Sequence, residues 1–438
     1  MKNSEYREKK RIIKVVESAD VIVAGGGPAG IAAAVSASRE GANVILIEKN
    51  GFLTGAHASS HVGTFCGVFY IVNDKIELLV RGFTETILNE LRKVGALNEP
   101  FRFGKTAVVT YDPLWFKQIS EDKVLNSGSS LIYHSRIVDV MIEDDKPCGV
   151  IIESKSGREG IRGKIIIDAT GDADIVAFAG GDYSKGDNGF LQYPSTNFRI
   201  ANVNEEKASE LSFKDIQEIM KKAVNRKEID LPRTDGFLFK TPRYGERVCN
   251  VTTVSKQGKI IDGTNKFDLT YAEIEGKRQA RKYEKVFRKY LPGFENIFIE
   301  DTGETGIRET RIIEGMYKLK NQDVINAKKF NDAVVRSAWP IEQHSLDEVK
   351  MVWIGEGDFY EVPFRCLIPR NIENLLVAGR CVSAEQEAQS SVRVAAQCFA
   401  FGEAAGIASV MAIEQNTSPS KLNGEEIRRR LIQKNGNL

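Results

Sequence analysis

The sequence lacks the cysteine patterns that build metal centres and disulfides. Its six cysteines are scattered, and no two of them stand in a C-x-x-C pair. They are Cys66, Cys148, Cys249, Cys366, Cys381 and Cys398. This spacing argues against a zinc knot, an iron–sulfur cluster and a redox-active disulfide. We therefore predict no metal site, and free thiols in a reducing cytoplasm.

A strong net charge is also missing, because 61 Lys and Arg face 60 Asp and Glu and leave a net charge of +1. Such a balance favours neither a nucleic-acid partner nor a membrane partner. The N-terminal residues MKNSEYREKKR lack the apolar core of an export signal. Residues 21–38 approach the length of a membrane span, but four glycines and a proline interrupt them. We predict a cytoplasmic protein.

The most informative stretch that is present runs from Asp20 to Glu48, DVIVAGGGPAGIAAAVSASREGANVILIE. An apolar strand enters a G-x-G-x-x-G turn, a helix of small residues follows, and a second strand ends on the acid. In this context Gly25 permits the tight turn, Gly27 the approach of a diphosphate, and Gly30 close packing of helix on strand. The pattern predicts dinucleotide binding at the helix N-terminus, with Glu48 on a ribose hydroxyl. The alternative is an ordinary βαβ turn.

Periodicity gives a coarse reading of the first half of the chain. Residues 51–70 are rich in Gly, Ser, Thr and Ala and predict a loop close to a ligand. Apolar spacing predicts helices over 76–94 and 114–125, and then an antiparallel meander from Leu131 to Arg162. The continuous apolar run Ile165–Ile167 is typical of a buried parallel strand, and it enters the turn Ala169-Thr170-Gly171.

The second half leaves this pattern and then returns to it. Charged helices over 213–224 and 271–290 alternate with short strands over 195–201 and 247–253. Near the end NLLVAGR (374–380) is again a strand followed by glycine, and a long helix is expected over 391–413. We predict a nucleotide-binding domain formed by residues 1–185 and 366–438, with residues 186–365 inserted as a substrate domain.

Three segments together resemble FAD-dependent oxidoreductases of the glutathione-reductase fold: GGGPAG…IEK, IIIDATGDADIVAFAG and NLLVAGRCVSAEQEAQSSVRVAAQCFAFGEAAG. PSTNFRI, LTYAEIEGKRQA, LPGFE, GIRETRIIEG and PIEQH extend the resemblance over residues 19–413. It implies an α/β fold in which a Rossmann-like FAD-binding domain, a parallel sheet plus an antiparallel meander, carries an inserted mixed α+β substrate domain. It is specific for family and cofactor, but not for substrate.

The resemblance also implies which residues contact FAD. They are Gly25, Gly27, Pro28, Ala29, Gly30, Glu48, Lys49, Thr54, Gly55, Ile137, Ala169, Thr170, Gly171, Asp172, Gly379, Arg380, Ser391 and Val392. Ile137 is expected at the adenine, and Gly379 and Arg380 at the diphosphate. Ser391 and Val392 are expected at the N-terminus of the last helix, whose positive end would stabilise an anionic reduced flavin. For Ala169–Gly171 the alternative is a plain strand-ending turn.

The chain has no second G-x-G-x-x-G, so a built-in NAD(P)H domain is not expected. We therefore expect electrons to pass between flavin and a small-molecule substrate, with an electron acceptor or donor that the sequence does not name. The sequence is compatible with a homo-oligomer, and it predicts neither a nucleic-acid nor a membrane partner.

Flavin chemistry on a substrate also requires a group that takes or gives a proton. His344, in PIEQH, is the favoured candidate, and its alternative is an ordinary polar residue. Arg308 and Arg393 are candidates for binding an acidic substrate, because an arginine fork binds carboxylates. For Arg308 and Arg311 the alternative is an internal salt bridge; Arg365 and Tyr360 are weaker candidates.

The loop after Glu48 offers a covalent flavin tether through His57, His61 or Cys66, with simple packing against the flavin as the alternative. His134 is predicted to be structural. Three functions remain open: an oxidoreductase that moves hydride to or from flavin N5, a fumarate-reductase-like reductase of activated C=C bonds with an arginine as acid, and a flavin-carrying electron-transfer subunit of a larger complex.

Overall fold

The computed structural model describes residues 5–6, 8–208, 210–226, 230–346, 349–434 and 438. The strands are β1 (Lys14–Ala24), β2 (Val44–Ile47), β3 (Thr64–Val72), β4 (Lys75–Leu78), β5 (Phe101–Phe103), β6 (Thr106–Thr110), β7 (Ser130–Ile132), β8 (Arg136–Glu143), β9 (Lys146–Ser154), β10 (Gly157–Asp168), β11 (Tyr183–Lys185), β12 (Phe198–Ala201), β13 (Phe237–Lys240), β14 (Arg247–Asn250), β15 (Phe298–Thr302), β16 (Arg311–Ile313), β17 (Ala333–Ser337), β18 (Ile341–His344), β19 (Val349–Val352), β20 (Tyr360–Pro363) and β21 (Leu375–Val377). The helices are α1 (Pro28–Arg39), α2 (Ala56–Ser59), α3 (Phe83–Lys93), α4 (Pro113–Asn126), α5 (Asp174–Phe178), α6 (Glu205–Ala208), α7 (Phe213–Asn225), α8 (Lys266–Tyr290), α9 (Asn321–Ile325), α10 (Gln386–Val392), α11 (Ala395–Glu414) and α12 (Gly424–Gln433), with 3-10 turns at Phe364–Leu367 and Pro419–Lys421.

A seven-stranded sheet forms the centre of the molecule, with the order β7-β2-β1-β10-β9-β8 and with β21 beside β10. The pairs β7–β2, β2–β1, β1–β10 and β10–β21 are parallel, whereas β10–β9 and β9–β8 are antiparallel. Strand β21 comes from the end of the chain and completes the sheet that the first residues begin. The predicted α/β fold class, with a parallel sheet and an antiparallel meander, is confirmed.

Strand β10 corrects the predicted meander. The sequence suggested a short run ending at Arg162 and a separate strand over Ile165–Ile167, but one twelve-residue strand covers both. Residues 157–162 of β10 pair with β9, residues 166–168 pair with β21, and β1 pairs with residues 159–168. Pairing with the long strand β1 keeps the chain extended through Gly163, between the two runs that were predicted separately.

The stretch over residues 51–94 also differs from its prediction. The predicted loop over 51–70 ends in strand β3 from Thr64 onward, which pairs with β4 and β6 in a second, four-stranded sheet. The expected helix from Ile76 begins only at Phe83, because Lys75–Leu78 is strand β4. Pairing with β6, about 40 residues later, is not visible in local periodicity. The helix predicted over 114–125 is confirmed as α4.

The inserted part of the chain is built on the sheet β13-β14-β12-β15. One face of this sheet packs on α7 and α8 around a second apolar core that includes Phe198, Ile200, Met220, Tyr283 and Phe287. The two predicted helices are confirmed, although α8 begins at Lys266, five residues before the predicted start. The exact domain boundaries at 185/186 and 365/366 stay predictions.

The single helix predicted over 391–413 is wrong, because the structure has two helices there. Helix α10 ends at Val392, Arg393 is its C-terminal cap, and Val394 is extended (φ −75°, ψ 162°) before α11 begins at Ala395. Ser391 and Val392 therefore lie at the C-terminus of α10 rather than at a helix N-terminus. Neither glycine nor proline marks this break, so it has no local signal in the sequence.

Helix α11 is the one described helix that is long and apolar enough to cross a membrane. It is buried over most of its length and packs against α1 through two glycines. A Cβ added at Gly402 would lie 2.0 Å from the carbonyl oxygen of Ala29, and one at Gly406 would lie 2.6 Å from that of Ala33. The apolar character of α11 thus serves the core of the molecule.

Candidate active site

The three glycines of the first turn have different surroundings. Gly25 has φ +103°, and an added Cβ would lie 2.6 Å from the carbonyl oxygen of Ala169. At Gly30 an added Cβ would lie 1.8 Å from the oxygen of Gly25. By contrast, nothing lies within 4 Å of a Cβ added at Gly27. The first and third glycines are therefore required by packing, and the second leaves the backbone open to a ligand.

The N-terminus of α1 lies at this opening. Its first helical hydrogen bond runs from Ile31 N to Gly27 O at 3.0 Å, so the amides of Ala29 and Gly30 have no partner within the helix. Pro28 occupies the first helical position, where no donor is needed. Two free amides and the helix dipole make this end suitable for a diphosphate.

Glu48 is buried beside the turn. Its Oε2 accepts from Gly26 N at 2.7 Å and its Oε1 from Asn50 N at 2.8 Å. Each carboxylate oxygen retains a lone pair for a ribose hydroxyl. Ser135 N donates to the main-chain oxygen of Glu48, so the start of β8 lies next to this acid, and Ile137 follows two residues later. These contacts fit the adenosine end of FAD.

Thr54 adds a second indication of a ligand. It is a β-branched residue with φ +80°, its amide donates to Gly26 O at 2.8 Å, and its buried Oγ1 has no partner. A β-branched residue in the left-handed region is strained and is usually held there by function. Gly55 follows, and a Cβ there would lie 3.1 Å from Gly27 Cα. The hydroxyl of Thr54 and the open backbone at Gly27 both fit the diphosphate of FAD.

The loop Ala169–Gly171 is organised by Asp168, which the sequence analysis did not single out. This carboxylate is fully buried and accepts from Thr170 Oγ1 at 2.7 Å and from Ile175 N at 2.9 Å. Burial raises the pKa of Asp168 to about 6. These bonds tie the loop to the start of α5, and the contact of Ala169–Gly171 with FAD stays a prediction.

Arg380 connects this loop with the end of the chain. Its Nε donates to Gly171 O at 2.8 Å and its Nη2 to Asp172 Oδ1 at 2.6 Å. Gly379, with φ +105°, makes the turn after β21. The first, middle and last segments predicted to contact FAD therefore meet, although the contact of each residue with FAD stays a prediction.

The three predicted catalytic residues lie in one buried cluster. Glu342 Oε1 lies 3.1 Å from His344 Nε2, and Trp339 Nε1 donates to Glu342 Oε2 at 3.0 Å. Arg308 donates to Ser195 Oγ at 3.0 Å and to the carbonyl of Tyr193 at 2.7 Å. Arg393 stands at the break between α10 and α11, and its buried Nε has no partner.

Two glutamines connect the cluster and the cofactor segments. Gln389 Nε2 donates to the carbonyls of Arg380 at 3.1 Å and Arg308 at 3.3 Å. Gln192 Oε1 accepts from Arg393 Nη2 at 3.4 Å and from His344 N at 3.5 Å. Sequence reasoning missed both glutamines and Glu342. Glu342 lay within the quoted PIEQH segment, next to His344, which was the available signal.

The electrostatics of the cluster follow from burial and two nearby cations. Burial and the charge of Arg308 lower the pKa of His344 to about 3, so the imidazole is neutral at pH 7. Burial opposes ionisation of Glu342, but His344, Arg393 and Arg308 prevail and lower its pKa to about 2. Burial and Arg393 lower the pKa of Arg308 to about 9. One carboxylate and two guanidinium groups give these four residues an excess of positive charge, and Glu309, outside them, is a second carboxyl group that acts on Arg393.

The other candidates have partners within the protein. Arg311 forms an ion pair with Asp174 at 2.8 Å, which confirms the salt-bridge alternative for Arg311 but not for Arg308. Arg365 pairs in the same way with Asp332 at 2.8 Å, and Tyr360 OH lies 2.8 Å from Ser391 Oγ.

The three residues considered for a flavin tether have different surroundings. His57 Nδ1 lies 2.5 Å from Tyr111 OH, inside a cluster of aromatic rings with Phe65 and Phe116. His61 Nε2 lies 3.1 Å from Asp301 Oδ2. Burial raises the pKa of the Cys66 thiol to about 12, which leaves it a poor nucleophile. The tether stays a prediction.

Family comparison assigns the chain as a whole. The model of the family "FAD dependent oxidoreductase" matches residues 20–431, and this chain belongs to that family. It is an enzyme of the oxidoreductase class, and FAD is its cofactor, as the site geometry indicates.

More distant similarities fit this assignment. The chain is 26% identical over 169 residues to a thiamine thiazole synthase of Aeropyrum pernix, and that alignment covers 36% of this chain and 56% of the relative. It is 27% identical over 153 residues to digeranylgeranylglycerophospholipid reductase 2 of Methanococcoides burtonii, covering 35% and 37% of the two chains. These alignments therefore span between about a third and somewhat over half of the relatives.

Two solved structures share the fold at low identity. A geranylgeranyl bacteriochlorophyll reductase-like protein from Thermoplasma acidophilum superposes with a TM-score of 0.50 at 15% identity, covering 96% of this chain and 84% of that chain. The p-nitrophenol 4-monooxygenase of Pseudomonas putida gives a TM-score of 0.51 at 10% identity, with 95% and 86% covered. Both similarities concern the fold alone.

Proposed function

We propose that this enzyme transfers a hydride between a small organic acid and FAD. In this proposal Arg308 and Arg393 bind the acid group, and His344, held by Glu342, takes or gives the proton. Bound FAD supplies the two-electron donor or acceptor. The observation that carries the proposal is the buried cluster of His344, Glu342 and the two arginines, joined to the cofactor segments through Gln389.

The two arginines favour an anionic substrate. Burial lowers the pKa of both guanidinium groups, with Arg393 adding to the effect at Arg308 and Arg380 to that at Arg393, so each has lost much of its hydration. Arg393 Nε has no protein partner. A carboxylate that accepts from Arg393 would supply that partner and offset the excess positive charge, because guanidinium groups bind carboxylates with charge-assisted hydrogen bonds.

The neutral imidazole is suited to accept a proton. When Nε2–H donates to Glu342, the lone pair of His344 lies on Nδ1. A pKa of about 3 makes it a weak base, but an anionic group bound at the arginines would raise that pKa, because their positive charge is part of the cause of the shift. The acid group of the substrate would thus also activate the base.

Anaerobic flavin bleaching provides the test. Holoenzyme is mixed with a panel of hydroxy acids, amino acids and their uncharged amides, and we expect bleaching by an acid and not by its amide. Arg393→Gln should raise the apparent dissociation constant of that acid by about tenfold to a hundredfold. Arg365→Gln, at an arginine paired with Asp332, is the control. Equal bleaching by acid and amide would contradict the proposal.

A second candidate is the reduction of an activated C=C bond with Arg308 as the acid. The lowered pKa of Arg308, about 9, favours this possibility, since an arginine with an ordinary pKa rarely releases a proton. Re-oxidation of the reduced enzyme by fumarate-like acids, lost in Arg308→Lys, would support it. Stable capture in a complex without turnover would instead indicate an electron-transfer subunit. A cytoplasmic location, a homo-oligomer and the absence of nucleic-acid and membrane partners stay parts of the proposal.

A further inference from the structure

The inserted sheet has one apolar and one polar face. On strand β12 and the residues before it, Thr196 contacts α8 at Gly276, and Phe198 and Ile200 belong to the second apolar core. Because side chains alternate along a strand, Asn197 and Arg199 point to the opposite side. This second side faces the loop that follows α2, since Asn197 Nδ2 donates to His61 O at 3.4 Å.

Unsatisfied polar atoms concentrate on that side. Among the described residues, buried atoms without a hydrogen-bond partner include His61 Nδ1, Asn197 Oδ1, Arg199 Nε, Glu246 Oε1 and Asn250 Oδ1. These five residues form what we call the polar face. The pairing of Phe198 with Cys249 places Asn250 opposite Asn197. The side chains of Asn197 and Glu246 are more than nine-tenths buried, so neither relies on bulk water. Buried polar groups normally have partners, which makes this concentration informative.

The polar face is rich in acceptors and has charged groups of both signs beside it. Arg199 Nη1 lies 3.4 Å from Glu246 Oε2 and 3.6 Å from Glu300 Oε2, and its Nη2 lies 3.9 Å from Asp301 Oδ2. Three carboxyl groups thus surround one guanidinium group, and two further cations act on this region: Lys117 on His61, and Arg243, which is paired with Asp112, on Glu246 and Glu300. Burial and the neighbouring Glu300 raise the pKa of Glu246, against the opposite effect of Arg199.

Strand geometry connects this face with the arginine cluster. Ser195, which accepts from Arg308, stands two residues before Asn197 and four before Arg199. At about 3.3 Å per residue, the polar face therefore begins about 7 Å from Ser195 and extends to about 13 Å from it. Asp301 is 54% exposed, so the outer end of the face is open to solvent. A ligand that lies along this side of the sheet would contact both the polar face and the arginine cluster.

We infer that the polar face binds an amino group of the substrate, roughly 10 Å from the acid group held by Arg308 and Arg393. The substrate class is then an elongated amino acid with its ammonium and carboxylate groups at opposite ends. An ammonium group has three donors, which match four of the unpartnered atoms, the acceptors His61 Nδ1, Asn197 Oδ1, Glu246 Oε1 and Asn250 Oδ1. This inference rests on the proposed function for the arginine end.

Three straight-chain probes with the same number of carbons distinguish the polar face from the arginine end of the site. They are ω-aminooctanoate, octanoate and octanedioate, which differ only in the group opposite the carboxylate. Their dissociation constants are measured from the perturbation of the flavin absorption spectrum of the holoenzyme. We expect ω-aminooctanoate to bind about tenfold more tightly than octanoate, and octanedioate to bind most weakly. Glu246→Gln should abolish the preference for the amine without changing the affinity for octanoate.

Controls keep the two hypotheses distinguishable. Glu218→Gln removes the same charge from the exposed side of α7 and should preserve the preference. If Glu246→Gln fails to fold, Asn197→Leu replaces it as the test. This variant removes one acceptor and should reduce the preference for the amine. Equal affinity for all three probes would overturn the inference and leave the arginine site standing. No detectable binding of any probe would overturn the inference, and binding of octanoate that survives Arg393→Gln would contradict the proposed function and, with it, the inference.

Discussion

Glu342 and His344 form a buried carboxylate–imidazole pair, with 3.1 Å between Glu342 Oε1 and His344 Nε2. They stand two residues apart on strand β18, so both side chains extend from the same side of the strand. This spacing fixes the imidazole and leaves its Nδ1 as the acceptor. The pair is comparable to the orienting acid and base found at many catalytic sites.

Glu342→Gln should slow flavin reduction by substrate about a hundredfold, because the carboxylate is what holds up the pKa of His344 against burial and Arg308. FAD content should be unchanged. Stopped-flow absorbance under anaerobic conditions measures the rate. Trp339→Phe removes the other hydrogen bond to Glu342 but retains its charge, and should slow the reaction less than tenfold. If both variants slow flavin reduction equally, the negative charge of Glu342 is not the property that sets the rate.

The glycine turn gives a prediction with an internal control. Gly27→Ala should fold with normal stability but bind FAD at least tenfold more weakly, since no protein atom lies within 4 Å of its added Cβ. Gly30→Ala should destabilise the protein itself, because its Cβ would lie 1.8 Å from Gly25 O. Thermal unfolding of both apoproteins and FAD titration measure the difference. If Gly27→Ala binds FAD as the parent does, the diphosphate does not lie at this turn.

The difference between these two glycines also shows how far sequence reasoning extends. The motif from Gly25 to Glu48 is local, so its residues could be placed without a structure. Gln192 and Gln389 could not, because their contacts join segments up to about 200 residues apart. Glu342 was missed although its partner His344 is only two residues away. The break at Arg393–Val394 escaped prediction for a related reason. It depends on tertiary packing rather than on a helix-breaking residue.

His57 should make the protein sensitive to acid. Burial lowers the pKa of its imidazole from 6.5 to about 4. The pKa of His57 is lower in the folded protein than in the unfolded chain. The contribution of the neutral imidazole to the free energy of unfolding is therefore complete above pH 6.5 and is lost as the pH falls towards 4. The loss is about 3 kcal/mol of unfolding free energy.

His57→Phe should flatten this part of the pH profile, measured by urea unfolding between pH 7 and pH 4. Tyr111 OH retains its hydrogen bond to Val62 O in the variant. His344, whose pKa is also lowered by burial, should preserve part of the acid sensitivity. An unchanged profile would mean that His57 is not buried in the neutral form.

Substitution of Thr54 should show whether its hydroxyl group binds the cofactor or serves only the packing of the fold. Its Oγ1 is buried without a partner, so Thr54→Val removes a hydroxyl that no protein group uses. The apoprotein should therefore unfold at the same temperature or slightly higher, because an unsatisfied buried polar group destabilises the folded state. If the hydroxyl binds the diphosphate, FAD affinity should fall about fivefold to tenfold, measured by fluorescence titration. Ser120→Ala removes another buried, unpartnered hydroxyl, on α4, and should leave FAD affinity unchanged. A drop in apoprotein stability without a drop in affinity would assign Thr54 to the fold instead of the cofactor.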